Sequence, residues 1–157
     1  MPKLNYNKNK VLLAVMTGSL ENLEQALADK KDPNMPGPSD MTALHMAVLL
    51  CQEPMVARLI AAGAKLEARD KNDLTPLGYA VLPAIETPLP QLKIMLKDDD
   101  SRAILDEARA NIRTTLLAAG ADWHAKSKKK PTPWERFEYY YPEKAQAMVP
   151  QIGPAQV

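Results

Sequence analysis

The chain is short of the residues that build covalent or metal-bound frameworks, holding one cysteine, Cys51, and two histidines, His45 and His124. A lone cysteine rules out an intrachain disulfide, so a stapled secreted scaffold is excluded and a reducing, cytoplasmic setting is expected. Cys51, His45 and His124 are too few for a zinc site of the usual Cys/His kind, and no cofactor is expected. A surplus of either charge is also missing. Twenty Lys and Arg stand against 19 Asp and Glu, a formal net charge of +1 in 157 residues, which gives no general pull toward nucleic acid or an acidic membrane. Long apolar runs are absent as well. The run Val11–Met16 follows Lys8 and Lys10 like the start of a signal peptide, but it is too short for that role and lacks a cleavage site. No stretch approaches a membrane span.

What the chain does have is internal repetition. Asp40-Met41-Thr42-Ala43-Leu44-His45-Met46-Ala47-Val48 aligns with Asp73-Leu74-Thr75-Pro76-Leu77-Gly78-Tyr79-Ala80-Val81, a step of 33. Leu59-Ile60-Ala61-Ala62-Gly63-Ala64 returns as Leu116-Leu117-Ala118-Ala119-Gly120-Ala121, a step of 57, and Thr75 to Thr132 is the same step. One repeat therefore carries an insertion of about two dozen residues. Each unit has a helix start at its threonine, whose hydroxyl can accept a backbone N–H, often followed by a proline that suits the first turn. Thr132 with Glu135 forms a capping box. Ala47 and Ala80 are small where helices must approach closely, and Gly63 and Gly120 end helices.

These segments resemble the ankyrin repeat: Thr42-Ala43-Leu44-His45-Met46-Ala47, Thr75-Pro76-Leu77 and Thr132-Pro133-Trp134 echo its T-P-L-H-x-A motif, and Gly120-Ala121-Asp122 its G-A-D ending. The resemblance implies an all-α solenoid forming one domain over 1–157. It has about four helix-turn-helix repeats at 4–36, 37–69, 70–126 (carrying the insertion) and 127–150. Repeat one departs from the pattern, with Asn9 for the threonine and Lys30 for the glycine, and repeat three has Gly78 in the place of His45.

Candidate chemistry is sparse. By the resemblance, His45 is structural, bridging Thr42 and neighbouring backbone, and His124 is an exposed turn residue. An enzyme would need a constellation such as Asp98 and Asp106 with His124, and no nucleophile–base pair supports it. Asp98-Asp99-Asp100 lacks the spacing of a calcium loop and reads as the acidic cap of a helix starting near Ser101. Lys126, Lys128, Lys129 and Lys130 form a basic turn. Without arginine, glycine or interleaved aromatics it argues against a nucleic-acid module and reads as a solvated turn or a contact for an acidic partner. Within the insertion, 91–96 reads as a short amphipathic helix and 101–119 as a long one. The insertion either contributes to a binding face or shields a repeat edge.

The resemblance implies a non-catalytic protein-binding module, monomeric when free, of the stand-alone bacterial kind in which some members inhibit a cognate toxin or enzyme as immunity partners. An adaptor or scaffold subunit is the alternative. Carried over by repeat phase, the partner-facing positions are Pro38, Ser39, Met41, Leu49 and Leu50; Lys71, Asn72, Leu74, Leu82 and Pro83; and Lys128, Lys129, Tyr139 and Tyr140. Apolar and aromatic residues at positions expected to meet solvent mark a contact surface.

Overall fold

The computed structural model describes residues 8–83, 86, 98–128 and 130–152. Among them are eight α-helices, a 3-10 turn at Pro38–Asp40 and no strand. The helices are α1 (Lys10–Thr17), α2 (Leu20–Ala28), α3 (Ala43–Leu49), α4 (Glu53–Ala61), α5 (Pro76–Ala80), α6 (Asp99–Ala118), α7 (Pro133–Tyr140) and α8 (Pro142–Ile152). Each odd-numbered helix packs on its even-numbered successor, and α5 does so with α6 across the insertion. The inner helices α1, α3, α5 and α7 stack in order, as do the outer helices α2, α4 and α6. The 91–96 helix expected within the insertion lies outside the described residues.

The repeat phase is visible in the caps. Asn9, Thr42, Thr75 and Thr132 each accept a backbone N–H with their side chains at the start of α1, α3, α5 and α7. Asn9 thus does for α1 what threonine does elsewhere, its Oδ1 accepting from Leu12 N at 3.0 Å. The outer helices end alike. In α4, Gly63 N donates to Ile60 O and Ala64 N to Leu59 O. In α6, Gly120 and Ala121 donate to Leu117 and Leu116, and in α2, Lys30 and Lys31 donate to Leu27 and Ala26. Gly63 and Gly120 take positive φ (88° and 103°), and Lys30 is forced into the same left-handed region at 55°.

Units are joined by bonds that also repeat. Lys65 N donates to Asn34 Oδ1 at 2.7 Å, and Asp122 N donates to Glu67 Oε1 at 2.8 Å. Asn34 and Glu67 are 33 residues apart, Lys65 and Asp122 are 57 apart, so this is one linkage used twice. Between them runs a continuous core from Val11 and Leu23 through Leu44, Val56, Leu59 and Leu77 to Ile112, Leu116, Trp123 and Phe137. Polar and apolar side chains mix on α1 and α2 of the first unit. A cleft of about 370 Å³ there is lined by Lys10, Asn22, Gln25, Asp29 and Lys31 beside Leu13, Ala14 and Ala26.

Candidate partner-binding surface

Two features organise the surface: the tips that lead into each inner helix, and the row formed where inner helices end. At the second tip, Asp70 is buried and accepts from Asn72 N (2.9 Å), Leu74 N (3.0 Å) and the Tyr79 hydroxyl. Burial first, and the bond to Asp70 second, push the Tyr79 phenol up to about 12. His45, fully buried, sits against Tyr79 edge to face with ring centres 5.9 Å apart. Its Nδ1 accepts from Thr42 N at 3.1 Å, so Nε2 carries the proton and donates to Leu74 O at 2.8 Å. Burial pushes this imidazole below its ordinary pKa. His45 is therefore a strut between one unit's cap and the next unit's tip, as the resemblance implied.

The third tip is tied to the second. Asp73 accepts from the Ser127 hydroxyl and from Lys128 N (3.2 Å), and Arg69 lies 3.5 Å from the Asp73 carboxylate while donating to Lys126 O. These bonds, the Ser127 hydroxyl first, hold the Asp73 carboxyl below its usual range. Lys71, Asn72 and Lys128 are exposed at the tips, and Met41 and Leu74 are half-buried beside them. Pro38 and Ser39 are also half-buried or exposed there, Ser39 at φ 56° with its carbonyl accepting from Lys71 N at 2.9 Å. Lys129 lies outside the described residues.

At the other end of the inner helices, Met16, Leu49, Leu82 and Tyr139 share one phase, with exposures of 43%, 1%, 8% and 81%. The expectation that Leu49 and Leu82 face a partner is thus corrected: both belong to the core. The cause is the insertion, whose return helix α6 begins eleven residues before the point at which its sequence rejoins the phase of α4. Arg109, almost fully buried, donates from Nη1 to Leu82 O (2.9 Å) and Pro83 O (3.0 Å) and from Nη2 to Leu49 O (3.3 Å). One guanidinium therefore satisfies carbonyls at the ends of both α3 and α5, where helices leave acceptors unpaired. Leu50 and Pro83 remain half-buried, Tyr140 is half-buried, and Tyr139 packs edge to face on Tyr140 at 5.0 Å.

Sequence reasoning missed Arg109, although the step of 57 offered a signal. Arg109 is in phase with Gln52, whose Nε2 donates to Val15 O of the preceding unit at 3.0 Å. The same capping role recurs one interface later, enlarged from one bond to three.

Other expectations resolve plainly. Asp98 caps α6 through Ser101 N (2.7 Å) and its hydroxyl (2.8 Å). Asp98 and His124 lie at opposite ends of α6, about 30 Å apart at 1.5 Å per residue, so no such catalytic constellation is assembled. His124 is half-buried against Trp134 rather than exposed. Phe137 is buried under Arg113, whose guanidinium lies 4.8 Å from the ring centre. Among the described residues no cluster of metal-ligating side chains occurs, and no helix is long and apolar enough to cross a membrane.

Over 70 residues, 45% of this chain, the sequence is 40% identical to the mouse (Mus musculus) protein named RelA-associated inhibitor, and that stretch is 8% of the mouse protein's length. A murine relative lends no support to the bacterial setting that the resemblance implied. Residues 39–71 match the family model described as Ankyrin repeat, the unit in which Thr42, His45 and Gly63 occur together. With all eight described helices paired in that unit's phase, the fold is an all-α solenoid of ankyrin type.

Proposed function

We propose that this protein is a non-catalytic binding module that grips another protein along the tips and the exposed part of the inner-helix row, and that it acts as a stoichiometric inhibitor of that partner. The observation that carries the reading is Tyr139, an aromatic 81% exposed and braced by Tyr140. A rigid, solvent-facing aromatic of this kind is the usual anchor of a protein interface. Met41 and Leu74, half-buried at the tips, and Leu50, half-buried at the end of α3, add apolar surface at those places, and Lys71, Asn72 and Lys128 give the tips a polar rim. The inhibitor reading is supported by the name of the mouse relative, over the part that the two share. An adaptor or scaffold role is the second reading, favoured by the stacked architecture, which presents an extended surface.

The test is direct binding. RelA, the protein named in the relative's description, is the first probe, titrated against the full chain by calorimetry. Saturable one-to-one binding weakened about tenfold or more by Tyr139→Ala, with the melting temperature unchanged, supports the reading. Absence of binding to RelA, together with no one-to-one complex recovered after crosslinking in cells, would refute it. Binding that leaves the partner's activity intact would leave only the adaptor role.

A further inference from the structure

We propose that the tip-side edge of the third and fourth units is built to take an acidic segment of the partner, a run of Asp and Glu. The inference rests on the protein-binding reading above and specifies the chemistry of the partner. Three tips, at 36–41, 69–74 and 126–131, occupy equivalent places, since they are related by the steps of 33 and 57. The first two close with the same bond, Gly37 N to Met41 O at 2.8 Å and Asp70 N to Leu74 O at 3.2 Å. Their charge climbs along the stack. The first holds Asp40 and no base, the second sets Arg69 and Lys71 against Asp70 and Asp73, and the third has Lys126, Lys128, Lys129 and Lys130 with no acid.

The acids of the second tip are turned to internal use. Asp70 is buried under its own turn and Tyr79, and Asp73 is occupied by Ser127, Lys128 N and Arg69. The bases are left outward: Lys71, Lys126, Lys128 and Lys130 are all exposed, and among the described residues none forms an ion pair. The backbone that carries them is held by Arg69 bonded to Lys126 O, Lys71 N bonded to Ser39 O, and Lys130 N bonded to Ser127 Oγ at 3.0 Å. Lysines on a fixed turn form an attractive patch without the entropy loss of ordering a loop at binding. A polypeptide suits the patch better than a nucleic acid. The positive field ends within one unit, at Asp73 and the acidic first tip, whereas a phosphate backbone needs a longer basic track with stacking aromatics. Leu74, half-buried next to the lysines, suits an apolar residue flanking a run of acids.

The experiment uses the full chain and a short fluorescent Glu/Asp-rich peptide, read by anisotropy at about 50 and about 300 mM salt. The expected result is binding that weakens about tenfold or more with salt, and by a similar factor when Lys126, Lys128 and Lys130 are all changed to Glu. Changing Lys10 and Lys31 to Glu, on the open side of the first unit, should leave it within about twofold. Should the triple reversal fail to fold by circular dichroism, the triple change to Gln is read instead and should give a smaller loss in the same direction. Failure of the peptide to bind, equal affinity across the two sets of variants, or tighter binding of a DNA duplex than of the peptide would each overturn the proposal. Tyr139-dependent binding of RelA that persists in the lysine variants would remove the acidic-segment inference alone and leave the protein-binding reading standing.

Discussion

At the scale of single residues, Lys30 and Gly78 are each a poor match to their backbone. Lys30 adopts φ 55° where Gly63 and Gly120 stand in the equivalent turns, and an L-residue there costs roughly 1 kcal/mol. Gly78 sits inside α5, where an added Cβ would meet Leu74 Cδ2 at 3.5 Å and Thr75 Oγ1 at 3.6 Å, ordinary contacts. Lys30→Gly and Gly78→Ala should therefore both stabilise, each by about 0.5–1 kcal/mol, and add in urea unfolding because the sites are far apart. His45 supplies a pH dependence with a definite sign. Its folded-state pKa is lowered, chiefly by burial, so below about 6.5 the unfolded chain binds a proton that the folded one resists. Its stabilising contribution is complete above that pH and is lost as pH falls toward the depressed folded value. The melting temperature should drop between about pH 7.5 and about pH 5.5, and His45→Gln should flatten that part of the profile.

At the scale of elements, the insertion is the feature that departs from a plain stack. Its helix α6 returns over the ends of α3 and α5, and Arg109 locks it there through three carbonyls. Arg109→Met keeps the volume and removes the donors, leaving buried acceptors without partners, so we expect a loss of about 2–3 kcal/mol in urea unfolding. Arg109→Lys should recover only part of it, since a point charge cannot serve three acceptors in a fork. Leu49, buried beneath this lock, behaves as core: Leu49→Ala should cost about 2–4 kcal/mol, whereas Tyr139→Ala should change stability by less than about 0.5 kcal/mol. Equal losses at the two sites would contradict the division of the row into covered and open parts.

At the scale of the molecule, each unit leans on its neighbours, so the interior should be the last to open. Amide exchange is expected to be slowest at Leu44–Val48 of α3 and Leu77–Ala80 of α5, which have units packed on both sides, and fastest toward α1 and α8. Uniform protection across all four units would mean that the stack opens as one block. The acidic-partner inference also belongs to this scale, because no single tip shows the charge gradient.

Much of this was legible without coordinates. The steps of 33 and 57 depend on spacing alone, so the helix starts at Thr42, Thr75 and Thr132, the helix ends at Gly63 and Gly120, and the place of the insertion could be read from letter positions. Local chemistry, a hydroxyl one turn from an amide or a residue without Cβ at a left-handed turn, acts within a few residues and leaves its mark in sequence. Which row positions would be covered was not local. Leu49 and Leu82 share a phase with Met16 and Tyr139, and only the path of α6, bringing Arg109 sixty residues along the chain to Leu49 O, separated the buried pair from the exposed one. That separation came from long-range packing, in which an insertion buries whatever apolar surface and unpaired carbonyls lie within its reach.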